Sequence, residues 1–284
     1  MPNMRDIKRR IKSIQGTSQI TKAMNLVSAA KLARAKNKLT GTRPFYEETQ
    51  RIIARVINSS SEFNHPFIEK REGKNTVIIV ISGDRGLCGG YNSNIIKESK
   101  KAVEGKDSVS YITIGKKCTD QFTALEKNIV KYYTGISESA EYTDAESVGR
   151  IVVDMYKKGE VDEVLLAYTV FESTISHVPK VERILPVDTE KFKGESTASD
   201  IMLYEPGEEA LIDYLVPKYI NTIIFGAMSE SAACEQGARM TSMDAATKNA
   251  GDAIDRMSIL YNRARQGAIT QEISEIVGGA NALA

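Results

Sequence analysis

The sequence predicts an α/β protein: an antiparallel coiled coil of the N- and C-terminal helices plus a central α/β domain. Three observations predict it. Near the end of the chain, Met243, Thr247, Ala250, Ile254, Met257, Tyr261, Ala264 and Ala268 recur at alternating steps of four and three, the spacing of a helix seam that faces a partner helix. In the middle, Thr76 to Ile81 is an unbroken β-branched apolar run bounded by Gly83, as in a strand buried on both faces of a helix-covered parallel sheet. Strand-like and helix-like stretches then alternate up to about Asp188, the order of a layered α/β domain. The 284 residues accordingly divide into residues 1–59, an N-terminal coiled-coil helix; 75–188, the α/β domain; and 208–284, a C-terminal coiled-coil helix. The two helices form one discontinuous domain.

The first helix runs from about Asn3 to Ser59. Ile7, Ile11 and Ile14 open a seam, Ser18, Thr21, Asn25 and Ser28 dilute it, and Leu32, Ala35 and Leu39 resume it. Small and hydroxyl side chains let two backbones approach but bury little area, so the pairing is not built for high stability. Gly41 and Pro44 predict a kink or interruption near Thr40 to Arg43. Asn58 to Ser61 ends the helix.

In the α/β domain the expected elements are strand Thr76–Ile81, helix Asn94–Glu104, strand Ser110–Ile114, helix Lys116–Lys127, strand Ile129–Tyr133, helix Asp144–Lys158 and strand Glu163–Phe171. Val178 to Val187 carries Pro179 and Pro186 and reads as an edge strand antiparallel to its neighbour. Thr189 to Glu208 reads as a loop. The last helix follows, with a kink or fresh start expected at Pro217. Its stretch Ile220 to Ala238 is rich in Gly, Ala, Ser and Cys on several sides, which suits contact with both the first helix and the α/β domain.

A compact domain between Ser59 and Glu208 makes the two long helices antiparallel, with facing residue numbers summing to roughly 265. Gln266 to Ala284 then extends beyond its partner, still carrying Ile269, Ile273, Ile276 and Val277. A lone helix with an uncovered apolar stripe is unstable in water, so this tip needs a sleeve from another chain.

Composition narrows the function. The apolar and charged fractions, 42% and 26%, are those of a soluble globular protein. No apolar run is long enough to span a bilayer, and the charged start has no signal-peptide pattern, so a cytosolic-side protein is expected. Cys88, Cys118 and Cys234 form no C-x-x-C pair, against a disulfide framework or a zinc site. Met1 to Lys38 holds ten basic residues against Asp6 alone, either a solvated face or one that meets an acidic partner. Without aromatic platforms, those charges do not favour nucleic acid.

Catalytic chemistry is sparse. His65 and His177 are the only histidines, and structural roles suit both. The loop Ser82-Gly-Asp-Arg-Gly-Leu-Cys-Gly-Gly90 stands where a Rossmann-like fold cradles phosphates. Its glycine spacing fits neither G-x-G-x-x-G nor the P-loop, and Gly115-Lys116-Lys117 stands where a ribose-binding acid would be. The reading it supports is a glycine-dependent turn tied down by Asp84 and Arg85 or offered to a partner. No catalytic, cofactor or metal residues are expected. An α/β nucleotide-binding protein with a coiled-coil dimerisation arm is the alternative.

Three segments together resemble the gamma subunit of F-type ATP synthase: Arg5 to Ile14 through Lys22-Ala-Met24 to Ala29-Ala-Lys31; Ser82 to Gly90; and Ala264-Arg265-Gln266 through Ile269-Thr-Gln-Glu272, Glu275 and Gly279-Ala280. The resemblance covers the whole chain. It implies a non-catalytic central rotor shaft whose coiled coil turns inside a hexamer of alternating alpha and beta subunits. The α/β domain would be a foot on the epsilon subunit and the c-ring, coupling ion-driven rotation to ATP synthesis or hydrolysis on the beta subunits. Carried onto this sequence, the resemblance makes Met24, Arg265, Gln266, Ile269 and Ile273 hexamer contacts, and Tyr204 and Glu205 contacts with the c-ring and epsilon foot. The basic residues of the first helix would face acidic beta-subunit loops. The implied location is peripheral, on the cytoplasmic face of a bacterial membrane. The lack of a cysteine-bearing insertion favours the bacterial type.

Overall fold

A computed structural model describes residues 4–59, 65–69, 71, 74–188 and 208–283. The elements are α1 (Met4–Ser59), β1 (Asn75–Ile81), α2 (Tyr91–Ala102), β2 (Ser108–Ile114), α3 (Lys116–Ala124), β3 (Ile129–Tyr133), α4 (Tyr142–Lys157), β4 (Glu163–Phe171), β5 (His177–Leu185) and α5 (Glu208–Leu283). Every described element expected from the sequence is present, with β3 and β4 starting and ending on the expected residues. The expected loop over Thr189 to Glu208 lies almost wholly outside the described residues.

Both long helices run through their prolines without interruption, so of the kink or break expected near Thr40 to Arg43 and at Pro217 the break does not occur. One proline removes one helical donor, a cost of about 3 kcal/mol. At Pro217 that cost is met by buried neighbours on either side, Ile212, Val216, Tyr219 and Ile220.

Compactness divides the chain inside these helices. One unit takes residues up to Ser28 and from Met240 onward; the other takes Ala29–Arg239. In the first unit α1 and α5 are antiparallel. Thr21 and Thr247 share a hydroxyl hydrogen bond of 2.7 Å, and Asn25 Nδ2 donates to the Met240 carbonyl at 2.9 Å. Ile7, Thr21, Ser28, Met243 and Ala250 are buried, and the remaining seam positions through Ala264 are half-covered.

The second unit is a three-layer sandwich around a five-stranded sheet of order β3-β2-β1-β4-β5. β1 pairs in parallel with β2 and β4, β2 pairs in parallel with β3, and β5 is an antiparallel edge on β4. Alternation along β1 explains its apolar run: Val77, Ile79 and Ile81 pack on one face, Ile78 and Val80 on the other. The second face is covered by α2 and α3, through Ile95, Ile96, Cys118 and Phe122. The first is covered by α4, through Val148, Val152 and Tyr156, and by the first half of α5, through Ile212, Val216, Ile220 and Ile224.

The helices α4 and α5 meet closely at Gly149, where a Cβ would overlap the Asn221 side-chain oxygen. Gly149→Ala is therefore expected to cost about 1–3 kcal/mol through overpacking, read as a lower urea midpoint. Asn221→Ser in the same chain should recover part of the loss. Equal losses in the single and double variants would show that this overlap is not the cause.

Candidate functional site

Two regions carry the candidate residues, one in each unit. In the helix-pair unit, Ala264 is the last half-covered residue of α5, and every residue from Arg265 to Asn281 is exposed. Arg265, Gln266, Ile269 and Ile273 all lie on this stretch, with Ile276 and Val277 continuing the apolar stripe. The seam residue Ala268 is exposed too, because no residue of α1 is left to face it. Gln271 Nε2 donates to Glu275 Oε1 at 2.9 Å, a one-turn contact that supports the helix locally.

Met24 is half-exposed beside Asn25 of the seam. It belongs to a second stripe that reading the seam alone overlooks. Ile20 and Val27, four residues before and three after Met24, are exposed, as is Leu26. On α5, Ile259 and Leu260 are exposed in the same way. The signal was available, since these residues fall off the seam by their helical spacing; among the described residues none covers them. Tyr204 and Glu205 lie outside the described residues.

In the α/β unit the strand order reverses between β1 and β4, where such sheets open a ligand crevice beyond the carboxyl ends of their strands. The loop after β1 lies there, and the protein's own α5 occupies the place. A Cβ on Gly83 would sit 2.8–3.0 Å from the Glu235 carboxylate. Arg239 holds that carboxylate at 2.6 Å and donates to the Gly86 carbonyl at 3.3 Å. A carboxylate stands where a phosphate would, so the glycines serve close helix approach.

Asp84 ties this loop to its neighbours. Its carboxylate accepts from the backbone N–H of Lys116 at 2.9 Å and from the Ser137 hydroxyl at 2.9 Å. One side chain thus joins the loops that follow β1, β2 and β3. Burial pushes the Asp84 carboxyl up, but the hydrogen bonds from Gly135, Ser137 and Lys116 outweigh it and hold it below the usual carboxylate range. Burial likewise pushes Glu138 up, and the bond and charge of Lys31, with the charges of Arg239 and Arg85, carry it below its ordinary value. Glu235 is pushed up by burial despite Arg239.

Three lysines of α1 turn onto this unit. Lys31 bonds Glu138, Lys36 lies 3.5 Å from the Thr174 hydroxyl and over the Phe171 ring, and Lys38 donates to the Ala140 carbonyl and lies over the Phe225 ring. The expectation that the basic residues of the first helix face a partner is corrected for these three. Their partners come from α/β loops remote in sequence, which a charge count along α1 does not show.

No catalytic constellation forms from the remaining candidates. His65 is buried and accepts from the Phe67 N–H through Nδ1 at 3.3 Å. His177 ends β5 against the Phe171 ring, and burial lowers its basicity. The three cysteines are free and buried, and burial pushes the Cys118 thiol up to about 11. Among the described residues no group of His, Cys, Asp and Glu is placed to hold a metal ion, and no helix is long and apolar enough to cross a membrane.

A helix pair with an uncovered tip, joined to an α/β unit whose ligand crevice its own helix fills, defines a structural subunit of a larger assembly. Comparison with known proteins agrees. The sequence profile of the family described as ATP synthase matches residues 3–283. The ATP synthase gamma chain of Heliobacterium modesticaldum is 43% identical, with 100% of both chains covered. That of Alkaliphilus metalliredigens is 45% identical over 99% of this chain and 98% of the relative. The fold matches a chain in the cryo-EM structure of the Euglena gracilis mitochondrial ATP synthase, OSCP/F1/c-ring, with a TM-score of 0.71 and 18% identity, covering 99% of this chain and 94% of that one. The chain belongs to the ATP synthase gamma chain family.

The Asp84 junction makes a pH-dependent prediction. Its folded-state pKa lies below the unfolded value, so its contribution is present above about pH 4 and is lost as pH falls through the folded value. Asp84→Asn is expected to cost about 1–2 kcal/mol at pH 7, with the gap from the unmodified chain closing below about pH 4. A gap in thermal midpoint that is the same at pH 3 and pH 7 would contradict this.

Proposed function

We propose that this chain is the rotating shaft of a bacterial ATP synthase, with its helix pair inside a sleeve of alternating alpha and beta subunits and its α/β unit meeting epsilon and the c-ring. Ion-driven rotation of the c-ring turns the shaft, and the shaft imposes different nucleotide affinities on the beta subunits in turn. The observation that carries this reading is the stretch from Arg265 to Asn281, exposed throughout yet striped with Ile269, Ile273, Ile276 and Val277. Met24 with Ile20 and Val27 adds a second apolar stripe for the hexamer, and Arg265 and Gln266 supply polar contacts beside the first. Tyr204 and Glu205 are proposed for the c-ring and epsilon side. In this reading the protein is peripheral, on the cytoplasmic face of the cell membrane. The nucleotide-binding alternative is disfavoured by the Glu235 carboxylate that fills the crevice over Gly83.

The test is reconstitution of alpha and beta subunits with the full chain and with a chain truncated before Gly251. The full chain should support steady ATP hydrolysis and continuous rotation of a bead fixed to the α/β unit. The truncated chain should turn against viscous load with several-fold lower torque. A full chain that neither assembles with the hexamer nor alters its turnover would overturn the shaft reading.

A further inference from the structure

The two long helices are attached to the α/β unit in different ways. Helix α5 is embedded: Ile212, Val216, Ile220 and Ile224 belong to the main apolar cluster under the sheet, and Cys234 and Ala238 to a smaller one. Among the described residues, α1 contributes no side chain to any of the apolar clusters of this unit. Its stretch from Ala29 to Leu39 has one buried apolar side chain, Leu32, with half-covered Ala35 and Leu39. Directed contacts of this stretch with the α/β unit include three lysines: Lys31 on Glu138, Lys36 on Thr174 and Phe171, Lys38 on the Ala140 carbonyl and Phe225.

Glu138 is the hub of these contacts. It takes Lys31 from α1, and its Oε1 lies 3.8 Å from Nη1 of Arg239 on α5. Arg239 is itself locked to Glu235 at 2.6 Å and to the Gly86 carbonyl. Glu138 also follows directly on Ser137, whose hydroxyl and N–H bond Asp84. The Glu138 carboxylate therefore links α1 and α5, and its neighbour Ser137 ties the same loop to Asp84, which joins the loops at the carboxyl ends of β1, β2 and β3.

We propose that Glu138, with Lys31 and Arg239, is the torsional lock of the shaft: the positioning contact that stops α1 from shearing against the α/β unit when torque passes between them. This rests on the shaft reading above. The physical ground is the difference between the two kinds of contact. Exposed and half-exposed ion pairs add little to equilibrium stability, but charge-assisted hydrogen bonds have a defined length and direction, so a twist of the helix stretches them at once. A face with one buried leucine among mostly small residues resists the same twist less directly. The lock should therefore appear in stiffness more than in stability.

The experiment uses the assembled alpha, beta, gamma and epsilon complex with the full chain and a bead on the α/β unit. The angular variance of the bead during pauses at limiting ATP reports torsional compliance. Glu138→Gln and Lys31→Met should each raise that variance at least twofold. Glu138→Asp should restore part of the stiffness, and Lys180→Met, which breaks the exposed Lys180–Glu182 pair on β5, should leave it unchanged. Unloaded hydrolysis and the thermal midpoint should stay close to those of the unmodified complex. Unmodified variance in both Glu138→Gln and Lys31→Met overturns the lock, and so does a rise matched by Lys180→Met. If Glu138→Gln fails to assemble, Lys31→Met decides alone, because it leaves Glu138 with Arg239. An unmodified complex that does not rotate overturns the shaft reading instead, so the two failures are distinct.

Discussion

One buried ion pair fixes where α5 sits against the loop after β1. Glu235 and Arg239 lie one turn apart on α5, and between them they meet Gly83 and Gly86 of the loop after β1. A charged pair removed from water is costly unless it is closely satisfied. Here the Gly86 carbonyl supplies an acceptor, Glu138 a second carboxylate 3.8 Å away, and the bare backbone of Gly83 the room, while Glu235 Oε2 and Arg239 Nη1 make no hydrogen bond among the described residues. The crevice in which many sheets of this order take a ligand is thereby turned into a seat for the protein's own helix. The glycine loop then has an explanation: it is shaped for a carboxylate that belongs to the chain.

Helix α5 changes its surroundings along its length without a break. From Ile212 to Met228 it is a core helix, buried beneath the sheet. Around Ser231 to Ala238 its small side chains bring it close to the loops at the strand ends. From Met243 to Ala264 it presents a seam to α1, and from Arg265 it presents itself to solvent. The polar middle of the seam, with its Thr21–Thr247 hydroxyl pair and its Asn25 bond to a main-chain carbonyl, gives the pair a defined register with little buried apolar area. The proposed shaft would need such a register, and in that reading an uncovered tip with few strong contacts of its own suits a surface that turns against its surroundings.

Much of this could be read from residue order. Local apolar periodicity placed the sheet strands and both long helices, since β1 had to be buried on two faces and β5 had to be an edge to carry Pro179. The end of the seam near residue 264 followed from counting along two antiparallel helices. Pro44 and Pro217 do not break their helices, which local geometry alone leaves open. Apolar packing around Pro217 is contributed by residues far away in sequence. The core role of the first half of α5 was hidden for the same reason: its small residues announced close contact without saying with what. Asp84 was marked as a tie, but its partners at Lys116 and Ser137 are set by strand order. Lys31, Lys36 and Lys38 looked like the rest of a basic face until the loop holding Glu138 and Ala140 was placed beside them.

By itself, then, the sequence determined what each segment is: which runs are helices, which are strands, where the seam lies, and that the tip lacks a cover. It could do so because those properties rest on spacings of two and of three to four residues, which are local. Tertiary structure alone decided what each segment meets. It seated Glu235 on Gly83, gathered Lys31 and Arg239 around Glu138, and slid the first half of α5 beneath the sheet. Those contacts join residues from tens to more than a hundred positions apart, and no local spacing encodes which distant side chain will arrive.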